Sequence, residues 1–519
     1  ETLSVDRIQD DTLFVYGNAS GFKTFLTWKL DYTVLTPPSL SIAKKLQKKS
    51  AQQEQGLYYP SYQDYLKRMQ QFAYDYPELC AIEEIGRSVG GKKILAAKIS
   101  DSVSMQEKEP EFFYSSTMHG DEPAGYVFML QLIDSLLTHY EKDSLVTRLV
   151  NNIEIWINPL ANPDGTYAES DISVEGAIRY NLNTEDLNRN FPDPGKGELN
   201  DTSGREPEVK AMMDFMQKHH FVMSANLHGG SEVVNYPWDY DSVRHADNQW
   251  FRKSGLRYVE AARKHAPFEY MTDITTSGVV KGYDWYSIFG GRQDYVTYYL
   301  SGREVTLELS KEKIPGPQRL YSLWEANYPA LLRYMEHCLT GIQGKVKDSL
   351  SGKPLRAQVE VLNHDDSLSV ISTDEQGAFY RLLLPGNHPV RVSAKGYEPV
   401  VISDLQVKDK RYTSVSVCLK PAKTTVKETY FLPADAFEIY PNPCNQYLHI
   451  KYMRGKDRKF EGFLYDNLGR RVRRFSFFTG IASSHVLTLS GLQEGSYYLM
   501  LRDGSQLYRA PVFISSSLD

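Results

Sequence analysis

The pattern of elements along the chain predicts an α/β region built on a mixed central sheet with helices on both faces, followed by two all-β sandwich domains. Three observations lead there. From about residue 56 to 340, short apolar strand candidates alternate with helical patterns, the order that places helices against both faces of a sheet. After about residue 341 long helical patterns nearly vanish, and short strands punctuated by Gly, Pro and Asp take over. The length, 519 residues, exceeds what one hydrophobic core usually spans.

Taken in order, residues 1–55 open with a β-like stretch, then Thr36-Pro37-Pro38 and the basic run Lys44-Lys45-Leu46-Gln47-Lys48-Lys49. That run reads either as a solvated helix face or as the protease-sensitive joint of a removable N-terminal segment. Residues 56–340 form the α/β region, with strands expected at Glu111–Ser115, Ile153–Ile157, Phe221–Ala225 and Glu304–Leu307. A helix starting near Ala124 sets Tyr126, Met129, Leu130, Ile133 and Leu137 on one face and turns Asp134 away from it. Residues 341–425 and 426–519 are the two β-rich domains.

A formal net charge of -6 argues against a dedicated nucleic-acid surface. No apolar run reaches the roughly 18 residues of a membrane span, and Glu1-Thr2-Leu3-Ser4 has no basic n-region, so a soluble or already processed chain is expected. Cys80, Cys338, Cys418 and Cys444 lie far apart, without the paired spacing of a zinc knuckle or redox motif.

Four segments carry chemistry, each expected at the end of a strand: His119-Gly120-Asp121-Glu122, Asp186-Leu187-Asn188-Arg189-Asn190, Asn226-Leu227-His228-Gly229-Gly230 and Thr306-Leu307-Glu308-Leu309. In an open α/β sheet the ligand crevice lies beyond the carboxyl ends of the strands. His119, Glu122 and His228 supply imidazole, carboxylate and imidazole, three zinc ligands with a fourth position open, as in hydrolytic rather than structural sites. Asp186 is the partner expected to fix the tautomer of a ligating imidazole. Zinc acidifies its water, and Glu308, an ionisable group between Leu307 and Leu309, is the expected general base. Arg189 can hold a free carboxylate bidentately with the Asn188 amide beside it, and Arg179 can stabilise an oxyanion.

These motifs, in this order and at these spacings, resemble the zinc metallocarboxypeptidases, in particular the regulatory branch with carboxypeptidases D, E, M and N. The resemblance covers roughly residues 56 to 420. It implies His119, Glu122 and His228 as zinc ligands and Glu308 as general base. It also implies Asn188, Arg189 and Tyr286 as the clamp on the substrate's terminal carboxylate, and Arg179 as the group that polarises the scissile carbonyl. Asp239, in Asn235-Tyr236-Pro237-Trp238-Asp239, and Gln293 match the polar residues of the side-chain pocket in the basic-residue enzymes. The implied substrate is a peptide ending in Lys or Arg. Arg292 stands where relatives usually carry methionine, and a cation at the pocket rim is expected to reshape that specificity. Calcium is not legible.

Residues 341 to about 420 resemble the transthyretin-like β-sandwich of the same branch, carried by Gly344-Lys345-Val346, Gly352-Lys353-Pro354-Leu355 and Ala394-Lys395-Gly396-Tyr397. The last segment resembles the C-terminal sorting domain of type IX secretion cargo in Bacteroidetes, on Tyr440-Pro441-Asn442-Pro443, Asp466-Asn467-Leu468-Gly469-Arg470 and Gly495-Ser496-Tyr497-Tyr498. That likeness implies export or surface attachment and the secretion machinery as a partner. Two other readings share the fold: a zinc amidase acting on cell-wall peptides and a non-catalytic binder of peptide C-termini.

Overall fold

A computed structural model of the chain describes residues 3–9, 11–41, 57–105, 107, 109–422, 436–453, 458–479, 484–503 and 506–515, and the basic run at 44–49 lies outside them. Two compact units form, Glu1–Pro421 and Ala422–Asp519.

The first unit begins with a hairpin, β1 (Ser4–Gln9) and β2 (Thr12–Tyr16), and a short helix, α1 (Ala19–Leu26), whose first turn is capped by the Asn18 side chain accepting from the Gly21 N–H. Helix α2 (Tyr62–Asp75), capped by Ser61, leads into the main sheet. Its strands are β3 (Cys80–Arg87), β4 (Lys93–Ile99), β5 (Glu111–Ser116), β6 (Glu154–Asn158), β7 (Phe221–His228), β8 (Glu232–Tyr236), β9 (Val279–Lys281) and β10 (Arg303–Leu309), in the order β3-β4-β6-β5-β7-β10-β8-β9. The four middle strands β6, β5, β7 and β10 run parallel, while β4 and β8 pair antiparallel with them on either side. The expected mixed sheet is thus present. The parallel middle strands read as near-continuous apolar runs because both faces are covered.

Helices α3 (Ala124–His139), α4 (Ser144–Val150), α5 (Pro207–Lys218), α6 (Asn248–His265), α7 (Arg292–Tyr299) and α8 (Pro317–Glu336) supply those covers. Strand side chains alternate between faces. Phe112, Tyr114, Ile155, Ile157, Met223 and Leu227 join the core made with α2, α3, α4, α6 and α8. Phe113 and Trp156 point the other way, into a core with α5 and α7 that Phe221 joins at the start of β7, where the pairing with β5 is irregular. The helix expected to be apolar on one side is buried nearly all round, because α3 packs against the sheet, α2 and α8 together. Gln131 and Asp134 keep partial exposure, so the polar stripe is narrower than an amphipathic reading suggests.

The unit ends in a β-sandwich. A three-stranded sheet (Ala378–Leu382, Gly341–Asp348, Tyr412–Leu419) faces a four-stranded one (Ile371–Ser372, Gln358–Val361, Val390–Ser393, Val400–Ile402), around Ile342, Val346, Val359, Phe379, Val392 and Leu419. The second unit repeats the plan with a three-stranded sheet and a four-stranded one, around Leu448, Ile450, Phe460, Leu464, Leu499 and Val512.

Candidate functional site

The carboxyl ends of β5, β7 and β10 meet beside the point where strand order reverses about β5, the position that open α/β sheets use for ligands. His228 is the last residue of β7, and Glu308 on β10 is its register partner. His119 and Glu122 follow β5 in a tight loop. Thr117, at φ 59°, turns the chain sharply there, an unusual backbone state for a β-branched residue. Gly120 is obligatory for space: a Cβ on it would lie 2.2 Å from the Gly165 backbone and 2.6 Å from Ile178 O. One of the four segments departs from expectation. Asp186-Leu187-Asn188-Arg189 ends no strand but forms a 3-10 turn, started by Asp186 Oδ1 accepting from the Asn188 N–H at 2.9 Å. An Asp that caps its own turn sets this loop without a ladder.

His119, Glu122 and His228 are all at most 3 % exposed, and their ligand atoms converge. His119 Nδ1 lies 3.1 Å from Glu122 Oε2, His228 Nδ1 lies 2.9 Å from the same oxygen, and the two Nδ1 atoms are 3.0 Å apart. Ligand atoms around a tetrahedral ion at ~2.1 Å sit about 3.4 Å apart, so this triangle accepts zinc with an outward shift of a few tenths of an ångström. The outer ring nitrogens support the fit. His119 Nε2–H donates to Asp186 Oδ1 at 3.1 Å. The Asn226 side chain lies 2.7 Å from His228 Nε2, with its Oδ1 lacking a partner among the described residues; an Nδ1 ligand leaves Nε2 as a donor, so the amide satisfies both when Oδ1 faces the ring.

Cations hold the carboxylates. Lys313 Nζ lies 2.8 Å from Glu122 Oε1 and 3.4 Å from Asp121 Oδ2, while Arg179 donates to Asp186 Oδ2 through Nε at 2.9 Å and to Glu122 Oε1 through Nη1 at 3.3 Å. Burial works against the charge on Asp186 and Glu122, yet Arg179 and Lys313 hold both carboxyls well below the usual range. Glu308 is the opposite case. Burial, then the charge of Glu122, pushes its carboxyl well above that range, and its Oε2 has no partner among the described residues. Lys313 and Asn226 were not picked out by sequence reasoning. Lys313 lies in the charged run Lys311-Glu312-Lys313, which reads as solvated surface, and the only signal for Asn226 was its place two residues before His228 on one strand face.

Asn188, Arg189, Tyr286, Arg179 and Glu308 border one small cavity with the three candidate ligands. Asp239 and Gln293 stand behind Asn235, which also borders it: Asn235 Nδ2 and Gln293 Nε2 both donate to Asp239 Oδ1 at 3.0 Å. Asp239 is 2 % exposed, not a loop residue at the surface. Burial pushes its carboxyl up to about 7 against those two amides. The expected rim cation is absent from the pocket. Arg292 contributes its backbone N–H to Asn188 Oδ1 at 2.9 Å, while its guanidinium points to the opposite side of α7, onto Glu304 at 3.0 Å and over the Phe113 ring. A buried carboxylate on the far side draws it there. A larger surface cleft of about 410 Å³ between α6 and α8 contains none of the residues singled out above and is lined by the Arg257–Asp409 ion pair and, along α8, by Arg333 and Glu336.

With this geometry in view, residues 65–330 match the zinc carboxypeptidase family, over half of the chain. The chain belongs to that family. Residues 341–420 match a carboxypeptidase regulatory-like domain, and 438–514 a secretion system C-terminal sorting domain. The family is one of peptide hydrolases, and the sorting domain is that of secreted cargo. Carboxypeptidase D of Homo sapiens is 35 % identical over 386 residues, covering 71 % of this chain and 27 % of that protein, so the chain spans about a quarter of its length. Carboxypeptidase M of Mus musculus is 33 % identical, covering 63 % and 76 %, and the carboxypeptidase N catalytic chain of the same species is 31 % identical, covering 73 % and 87 %. No helix among the described residues is long and apolar enough to cross a membrane.

Proposed function

We propose that this chain removes C-terminal Lys or Arg residues from peptides and proteins by zinc-assisted hydrolysis, outside the cell. The observation that carries the basic preference is Asp239: a buried carboxylate fixed by Asn235 and Gln293, whose own acceptors Asn235 Oδ1 and Gln293 Oε1 lack partners among the described residues. Three acceptors grouped there fit an ammonium or guanidinium brought by the substrate and penalise an aromatic side chain. Gly282 keeps room for this: a Cβ there would overlap Asp239 Oδ1 at 1.6 Å.

His119, Glu122 and His228 would hold the zinc, which supplies a Lewis acid that acidifies a water and polarises a carbonyl. Arg189 and Asn188 bind the terminal carboxylate, which restricts cleavage to chain ends, and Tyr286 closes over the bound residue. Glu308 accepts the proton of the attacking water and passes it to the leaving amine. Arg179, held by Asp186, stabilises negative charge on the carbonyl oxygen. Export as type IX secretion cargo of a Bacteroidetes cell, with attachment at the surface or release, follows from the sorting domain. The residues 1–55, 56–340, 341–425 and 426–519 are assigned as N-terminal segment, peptidase, transthyretin-like sandwich and sorting domain.

The test is release of the last residue from matched peptides ending in Lys, Arg or Phe, with and without a chelator. Zinc-dependent release of Lys and Arg over Phe supports the reading. Equal release of Phe removes the basic specificity, and release that survives zinc removal removes the metal.

A further inference from the structure

We propose that the N-terminal hairpin β1–β2 docks in the groove beside the candidate zinc ligands and blocks substrate from it, so that full activity requires its displacement. The proposal rests on the hydrolase reading above for its activity arm alone. Three contacts tie the hairpin to groups of the site itself. Ser4 Oγ donates to Asp186 Oδ2 at 2.6 Å, on the carboxylate that holds His119 and Arg179. Asp6 pairs with Lys313 Nζ at 3.0 Å, with both side chains at most 8 % exposed, on the same ammonium that holds Glu122. The Tyr16 ring lies 4.6 Å from that ammonium and 5.6 Å from the Arg179 guanidinium. Val5 and Asp6 line the cavity together with His119, Glu122, Arg189 and Glu308.

The space that remains settles what this does. The cavity measures about 20 Å³, room for a water. Clefts that bind organic ligands run to about 300–1,000 Å³. A peptide end cannot enter while Val5 and Asp6 are in place. Nor does the segment add a core that would explain its position as structural. Downstream of the hairpin Leu26, Trp28, Leu30, Tyr32, Val34 and Leu35 all stay exposed, at 45 % or more. The segment's buried polar contacts are thus made at the site. A covalently attached strand acts at an effective concentration in the millimolar range, enough for a modest contact set to compete with substrate. Within β1, Ser4-Val5-Asp6-Arg7-Ile8-Gln9, Asp6 is the carboxylate that meets Lys313.

The experiment compares zinc-loaded full chain, the same chain cut by a lysine-specific protease and freed of the N-terminal fragment by size exclusion, and an uncut Ser4→Ala/Asp6→Ala double variant. Two readouts are taken: kcat/KM on a Lys-ended peptide, and the rate at which a coloured chelator extracts zinc. The expected result is at least a tenfold rise in both for the cut chain and a rise in the same direction for the double variant, with a synthetic peptide of residues 1–30 restoring inhibition in trans. Equal values for cut and uncut chain in both readouts overturn the proposal. Faster zinc extraction with no Lys release from any form supports the plug and instead removes the peptidase reading.

Discussion

Two clusters in the first unit draw on the same residue types and end in opposite states. One is His119, Glu122 and His228; the other is Asp247, His364 and Asp365, where the peptidase region meets its β-sandwich. In the second, both Asp247 oxygens are taken by Arg381 at 2.9 Å, and Arg303 Nε adds a contact to Oδ2 at 2.7 Å, while Asp365 accepts from Arg381 and from the Val361 N–H. Guanidinium charge fills the space an ion would need. In the first, acceptors converge on one another, and a further carboxylate, Glu308, has an oxygen without a partner among the described residues. Charges that are fully paired tie two regions together; a buried carboxylate left short of partners is the kind of group that functional sites use.

The comparison breaks at its strongest point if Glu308 can be neutralised cheaply. Glu308→Gln is expected to cut kcat about 10²–10⁴-fold with zinc content unchanged by elemental analysis. Full turnover would assign the base elsewhere. Arg381→Met should cost about 3–5 kcal/mol of stability, because it leaves Asp247 and Asp365 buried without their shared cation, while kcat/KM of the folded fraction stays level. Thermal unfolding with activity measured below the transition separates the two. Asp239→Asn should erase roughly ten- to hundredfold of the preference for Lys over Phe, about 1.4–2.8 kcal/mol, with kcat on the Phe peptide retained. The smallest effect is on pH. Burial holds the free Asp239 carboxyl at about 7, so the form that binds a cation is lost as pH falls through that value. The ratio of kcat/KM for Lys over Phe peptides should decline below about pH 7, by no more than tenfold per unit, and stay flat in Asp239→Asn. Taking the ratio cancels titration of the catalytic groups.

Much of this site was legible because its residues sit where secondary structure leaves little choice. His228 and Glu308 fall at the ends of apolar strands, and His119 and Glu122 share a short loop after a third, so an alternating pattern and a spacing of three already aim them together. What was not legible depends on contacts between segments far apart in sequence. The direction of Arg292 is decided by Glu304 on another element, and one residue's rotation on α7 separates the pocket from the core below. Lys313 looks like any surface lysine until Asp121, Glu122 and Asp6 are folded around it. The turn at Asp186 resembled a strand end in its flanking residues, yet its geometry comes from a side-chain cap. Residues 3–16 read as a plain β-like start, and nothing local to them announces Asp186 or Lys313 as partners.

With Glu308 as the proposed base, the register that sets it opposite His228 also makes turnover a gauge of assembly. Sheet side chains change face at every step, so a slip of one residue between β7 and β10 would present Leu307 or Leu309 to the histidine and send the carboxylate to the other side. During refolding, helical signal can return while that pairing is still wrong. Recovered turnover would therefore mark the moment at which the central strands have found their alignment.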